Sequence, residues 1–514
     1  MDAIWHAFSA LFTPYLLLMM LAGTVLGMTW GAMPGLTTTM AMALFAGLTY
    51  KMPLEGMIVF LMAITTSSVY GGSITAVLIN IPGTPASICT AFEGYPLAKK
   101  GEGGLALGSA IVASFYGNLL GIIALIIMVP MIITLALRFG SWELFLLAFW
   151  GIVISGTLTD KEKPIKGWIS GWVGLLIAMI GEEPIHGFER FTFDSPLLMN
   201  GFDYIAVIVG LFGMGEVLTV LSMRVPDAIP EKVGRIIPPF DMIKKYFVNI
   251  FRSGFIGIVI GAIPGAGANI SSFLAYDIAR RRAKPEERKK YGYGSYEGLI
   301  ASEVANNATI GGMLAPTMTL GIPGSVAAAI FMGALNLHAI RVGPAIEMEH
   351  PGLMYFLYAT LLVANLFMYG IALMIIKPSV KLFSLRKELL LPCVVPLCVI
   401  GAYANNVMMF DVYVMLGFGL LGFAFHKMKY PMAPLILGVI LGEMADENLR
   451  KAIMIFQGQG ATLLDVLSRP IGTVLIVILL LTFYDGIFRR GREHRNLAPS
   501  TRKEEREASS VQRG

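Results

Sequence analysis

The sequence has little charge: only 14% of its 514 residues are Asp, Glu, Lys or Arg, against about a quarter in ordinary soluble domains. That shortage excludes a water-soluble domain of this size. The formal net charge of +5 is modest and its basic residues sit in loops, so it speaks to membrane orientation and not to nucleic acid. Cysteine is scarce too. Cys89, Cys393 and Cys398 are the only three, and no Cys-x-x-Cys pair occurs, so they read as apolar filler and not as a metal or disulfide framework. The six histidines (His6, His186, His338, His350, His426, His494) are scattered, with no His-Glu-x-x-His. There is no Gly-x-x-x-x-Gly-Lys-Ser/Thr phosphate loop either. These absences argue against a membrane-embedded enzyme, leaving no cofactor and no metal beyond a sodium ion. The start, "MDAIWHAFSA", lacks the basic region and cleavage pattern of a removed signal, so the first apolar run is read as a retained span.

What the sequence has in abundance is apolar surface: 56% hydrophobic residues and a mean hydropathy of +0.70. Continuous runs such as "LLGIIALIIMVPMIITLAL" from Leu119 and "LYATLLVANLFMYGIALMII" from Leu357 approach the ~20 residues needed to cross a bilayer. The pattern predicts an all-α polytopic membrane protein with roughly a dozen transmembrane segments. A β-barrel is disfavoured, because the runs do not alternate. The 57 glycines and 27 prolines fall largely inside these segments and point to close-packed, broken or re-entrant helices.

Two signatures recur in the same order. "WGAMPGLTTTMAMAL" (30–44) resembles "IGAIPGAGANISSFL" (260–274), and "YGGSITAVLINIPGTPAS" from Tyr70 resembles "IGGMLAPTMTLGIPGSVAA" from Ile310. The chain therefore reads as two repeats, 1–230 and 231–490, followed by a polar cytoplasmic tail, 491–514, expected to be disordered. After the first signature comes "TYKMPLEG" in one half but "ARRRAKPEERKKYG" in the other, so the positive-inside rule sets the two loops on opposite faces. The repeats are then inverted in topology, with the C-terminus cytoplasmic.

The prolines and glycines of these signatures (Pro34, Gly35, Pro82, Pro264, Gly265, Pro323) are expected to break helices. A new helix can begin at once, with Thr84 as N-cap before Pro85 in one half and Ser325 in the other. A helix start inside the membrane offers free N–H groups and the positive end of the helix dipole, which suits an anion. No Lys or Arg occurs in 52–98, 253–279 or 291–340, so an anion there is held by backbone and by neutral polar groups. Thr37, Thr38, Asn80, Gly83, Thr84, Gly324 and Ser325 are the expected substrate-binding residues. Uptake of an anion against a negative-inside potential costs about 2.3 kcal/mol per charge per 100 mV, so cations must accompany it. Asn269, Ser271, Asn306 and Asn307 suit sodium, whereas Glu303, with Asp277 or Glu297 as alternatives, suits protons.

The stretches "YGGSITAVLINIPGTPASICTAFEGYPLAKKG", "GAIPGAGANISSFLAYDIARR" and "EGLIASEVANNATIGGMLAPTMTLGIPGS" resemble the large membrane subunit of the tripartite tricarboxylate transporters. The resemblance implies a multi-pass protein of the bacterial inner membrane. It implies a secondary transporter that works with a small membrane subunit and a periplasmic solute-binding protein to import citrate or another tri- or dicarboxylate. Import would be symport with sodium or protons. Two positions depart from the family pattern: Glu93 stands for aspartate before "GYP", and Ser302 for proline before Glu303. The competing reading is a passive channel or membrane scaffold, which needs no gradient.

Overall fold

The computed structural model describes residues 2–33, 36–159, 164–222, 236–382, 391–460 and 468–486. The expected helix break at Pro34 and Gly35 and the tail 491–514 lie outside them, as does the junction near residue 230. The described residues are overwhelmingly helical, and the chain is an all-α polytopic membrane protein. Among the described residues seven helices are long and apolar enough to cross a membrane, and four shorter apolar helices accompany them.

In chain order the first helices are α1 (Asp2–Leu11), α2 (Pro14–Gly31), α3 (Thr38–Leu48), α4 (Leu54–Ile79), α5 (Ile88–Leu97) and α6 (Gly103–Ala136). There follow α7 (Ser141–Thr159), α8 (Pro164–Ala178), α9 (Tyr204–Ile208), α10 (Gly215–Leu221), α11 (Phe240–Lys245) and α12 (Phe247–Gly261). Next come α13 (Gly267–Arg282), α14 (Pro285–Arg288), α15 (Tyr296–Leu320), α16 (Val326–Leu337), α17 (Ile346–Glu349) and α18 (Leu353–Leu382). The last are α19 (Leu391–Asn406), α20 (Met409–Lys427), α21 (Met432–Gln459) and α22 (Pro470–Tyr484). The described residues form two compact units, one from within 1–138 and 202–428 and one from within 139–201 and 429–486, so each unit is built of two separate stretches of chain.

The first unit is organised around α4 and α15. Residues Gly56–Leu78 of α4 and Gly298–Thr319 of α15 are all buried. Neither helix is amphipathic, because each is surrounded by other helices. The packing is close enough for backbone to touch backbone. A methyl carbon on Gly27 or Gly31 of α2 would lie 2.6 Å from the Ile64 carbonyl oxygen and 2.1 Å from that of Ser68. On α12, Gly257 and Gly261 stand in the same relation to α15, at 2.3 Å from the Ala305 oxygen and 2.6 Å from the Thr309 oxygen. The pair α2–α4 thus recurs as α12–α15, glycine for glycine, at sequence offsets of 230 and 241. Small residues at both places let van der Waals contact do what the hydrophobic effect cannot do between helices in lipid.

The long helix α6 packs along α15, and α18 packs along α4. A loop then fixes the start of α15. Ser295 caps it by accepting the Gly298 N–H at 3.3 Å, and fully buried Glu93 of α5 gathers the loop around its carboxylate. Its oxygens accept from Tyr276 Oη (2.6 Å) and from the backbone N–H groups of Gly292 (2.8 Å), Gly294 (3.1 Å) and Ser295 (2.6 Å). The departure from aspartate therefore has a structural use, tying α5 to the N-terminus of α15.

The second unit packs α7, α8, α21 and α22 and carries the short antiparallel pair β1 (Gly181–Glu182) and β2 (Glu189–Arg190). Its connecting loop is held by charge. Arg190 bonds Asp446 at 2.8 Å, Arg450 bonds Asp446 at 3.0 Å, and Glu183 accepts from the Ile185 and His186 N–H groups at 2.9 and 2.8 Å. Burial alone would push the Glu183 carboxyl up. Those N–H donors, the His186 ring and Arg450 outweigh it and hold the group below the ordinary 4.5.

Three outcomes follow. Gly261→Ala should lose about 1–3 kcal/mol of stability through overpacking, whereas Gly370→Ala, with nothing within 4 Å of the new carbon, should melt like the parent in detergent. Glu93→Gln sets an amide N–H₂ against obligate donors and should cost on the order of 2 kcal/mol, with faster proteolysis at 283–295. Because the Glu183 carboxyl is depressed, its contribution is complete above pH 4.5 and fades as pH falls through the lower folded-state value. Hydrogen exchange at the Ile185 and His186 amides should report that loss only under further acidification.

Candidate functional site

Both expected breaks are real interruptions, built alike. Helix α4 ends on Asn80 in the left-handed region (φ 57°), and α15 ends on Gly321 (φ 68°). Asn and Gly are the residues that adopt this conformation most readily. In both, the next N–H reaches back six residues, Ile81 to the Thr75 oxygen at 3.4 Å and Ile322 to the Pro316 oxygen at 3.5 Å. Proline follows in each, Pro82 and Pro323, and neither can donate onward.

New helices start where the sequence says they should. Thr84 and Ser87 form a capping box, in which the Thr84 N–H donates to Ser87 Oγ at 3.3 Å and the two hydroxyls lie 2.9 Å apart. The first turn, Pro85–Ser87, is 3-10 before α5 takes over. In the other half Ser325 Oγ accepts the Ala328 N–H at 3.2 Å and begins α16.

Glycine at these tips answers to packing first. A methyl carbon on Gly83 would lie 2.0 Å from the Gly31 oxygen, and one on Gly324 would lie 2.3 Å from the Gly261 oxygen. Each tip is thus seated on the end of the neighbouring helix, and any side chain there tests the seat before it tests a substrate. Gly265 (φ 74°), beside buried Pro264, donates its N–H to the Gly324 oxygen at 3.1 Å, which joins the two breaks of that half.

Three of the other expected residues bond within the helices next to the tips. Thr37 caps α3 by accepting the Met40 N–H at 3.2 Å, and Thr38 Oγ1 accepts from Ser68 Oγ at 3.0 Å. Ser271 Oγ lies 2.9 Å from Thr309 Oγ1. Helix α3 packs against α16, and α13 packs against the turn at Pro85–Ser87, so the helix that follows the first signature of each half meets the tip of the other. Asn269 does not join in; it is exposed on α13.

A second polar cluster lies deep between the helices, centred on Glu303. Its carboxylate is fully buried and accepts from Ser73 Oγ of α4 (2.6 Å), from Thr90 Oγ1 of α5, and from Ser114 Oγ of α6 (3.0 Å). Asn307 Nδ2 donates to Ser114 Oγ and to the Glu303 carbonyl, both at 2.9 Å. Asn306 is also buried, with neither amide atom bonded to protein. Asp277 instead pairs with Arg281 on the exposed side of α13. Sequence reasoning missed Thr90 and Ser114 as members of this cluster. The only signal is a lone hydroxyl in an apolar helix, which ordinarily bonds its own backbone. Ser302, the other departure from the family pattern, adds a hydroxyl 3.4 Å from Thr90 Oγ1.

A protein of Agrobacterium vitis, a 52.8 kDa product encoded in the TAR-I ttuC' 3' region, is 32% identical over 477 residues, covering 92% of this chain and 93% of the relative. A second A. vitis protein, from the TAR-II ttuC' 3' region, is 32% identical over 227 residues, 44% of this chain and 93% of the relative. No solved structure matches. The model of the tripartite tricarboxylate transporter TctA family matches residues 17–437, and the chain belongs to that transporter family.

Proposed function

We propose that the chain is the large membrane subunit of a gradient-driven importer of carboxylates, assembled in the bacterial inner membrane with a small membrane subunit. A periplasmic binding protein delivers the substrate, citrate or another tri- or dicarboxylate. The C-terminus lies in the cytoplasm. The observation that carries this reading is the pair of equivalent helix tips, 80–87 and 321–328, each ending one helix in a left-handed residue and opening the next with a hydroxyl cap.

A carboxylate fits such tips for a physical reason. The first N–H groups of a helix are unsatisfied and carry about half a positive charge, and no Lys or Arg lies in 52–98 or 291–340. Binding by dipoles and hydroxyls leaves no fixed cation to trap the anion, so release into the cytoplasm stays accessible. Two tips from two inverted repeats, meeting near a midplane, would offer equivalent faces to the two sides of the membrane. The Ser271 and Thr309 pair with Asn306, and the Glu303 group with Asn307, are the two candidates for the accompanying cation.

The test is uptake of labelled citrate and of smaller carboxylates into vesicles holding this chain and its small subunit. The binding protein is added or omitted, and sodium or pH gradients are imposed. Uptake that needs both the binding protein and a gradient is the expected result; gradient-independent equilibration would make the chain a channel. Thr84→Ala and Ser325→Ala, each removing a cap and a candidate ligand, should each weaken half-saturation about tenfold, or ~1.4 kcal/mol. An unchanged half-saturation in both would remove the tips from the binding site.

A further inference from the structure

Among the described residues Glu93 and Glu303 both have no exposure, and the chain surrounds them differently. Around Glu93 stand three backbone N–H groups and a tyrosine hydroxyl, spread over both oxygens. Backbone N–H groups can only donate. A proton on Oε2, whose partners are the Gly294 and Ser295 N–H groups, would displace such a donor, so this setting favours a lasting acceptor.

Around Glu303 every side-chain partner is a hydroxyl: Ser73 and Thr90 at Oε1 and Ser114 at Oε2. A hydroxyl donates or accepts by rotating its hydrogen. Ser114 receives Asn307 Nδ2, which leaves its own hydrogen for Oε2. Ser73 has Glu303 as its bonding partner. When Oε1 carries a proton, Ser73 can turn from donor to acceptor without moving a heavy atom. The same shell therefore fits the carboxylate and the carboxylic acid.

The surroundings leave the charge to be balanced by something that comes and goes. Facing Glu303 are the Tyr70 hydroxyl from α4 and the Cys89 thiol from α5, with Glu93 further along α5. From α6 comes Ser114, while on α13 Ser271 is bonded to Thr309, Ser272 to the Ser302 carbonyl and Tyr276 to Glu93. Arg252 of α12 is bonded to Asn249. Among the described residues no Lys, Arg or His pairs with Glu303. Uncommitted polar atoms lie on the same stretch of helix: both amide atoms of Asn306, Asn307 Oδ1 and, across on α4, the Tyr70 hydroxyl. Buried groups normally have partners, and a cluster of free ones beside a carboxylate gives the network room to rearrange.

We propose that Glu303 is a reversible proton-binding site, and that its protonation is the coupling event of the importer, resting on the transport reading above. A proton from the outer side binds one carboxylate oxygen and cancels its negative charge. The same proton leaves to the inner side, restoring the carboxylate. Each cycle thus carries one positive charge inward with the anionic substrate, offsetting one unit of the electrical opposition.

Two measurements on the full chain test this. In vesicles with the small subunit and the binding protein, an inward pH gradient should accelerate wild-type carboxylate uptake at least tenfold. Glu303→Gln should show no response to the gradient, while exchange of internal for external substrate persists. Glu303→Asp, which keeps the carboxyl, should regain the response with its midpoint pH shifted. Infrared difference spectra across a pH step give a readout independent of transport: a protonated-carboxyl band present in the wild type and lost in Glu303→Gln. An identical band in both proteins would overturn the proposal, as would sodium-driven uptake at matched pH that Glu303→Gln leaves intact. A band that depends on Glu303 in a protein that moves no carboxylate under any gradient would overturn the transport reading while upholding the proton site.

Discussion

Backbone N–H and carbonyl groups cannot be left unpaired among apolar side chains, where each costs several kcal/mol. A chain that breaks its helices within a closely packed helical core must therefore cap every broken end. Asn80 and Gly321 close one end of each break, and Thr84 with Ser87, or Ser325, opens the next. The seats for these tips are helix ends that glycine keeps bare, so Gly31 and Gly261 are as necessary to the breaks as the prolines are. The architecture around α4 and α15 serves to hold two interruptions in place.

What makes the interruptions useful is that their polarity is left partly unspent. A helix start held by a hydroxyl cap retains further N–H groups for a ligand. The absence of Lys and Arg from both tip regions means that an anion is met by dipoles. In the proposed site such binding would orient a carboxylate and still let it go. The buried carboxylate at Glu303, one turn before the free amide of Asn306, is the complementary element, since its hydroxyl shell accommodates either charge state.

Much of this was legible in the sequence because it is local. Proline and glycine set the breaks, and threonine or serine beside them set the caps. Recurrence at offsets of 230 and 241 marked the glycines whose contacts prove equivalent. Long-range pairing was not legible. Nothing near Glu303 in the sequence points to Thr90 or Ser114, which reach it across 213 and 189 residues. Glu93 read as a mere variation on aspartate until its loop of backbone donors came into view. Asn269, attractive in the sequence beside Ser271, is turned outward, because neighbouring residues on a helix face different ways.

The most direct test of the account is a structure of the chain in a bilayer with citrate bound. A substrate carboxylate is expected within hydrogen-bond reach of the backbone N–H of Ala86 at one tip or those of Val326 and Ala327 at the other, since the N–H groups of Gly83, Thr84, Ser87 and Ala328 are bonded within the protein. Density for the substrate beside a cluster of Lys or Arg, away from both tips, would contradict it.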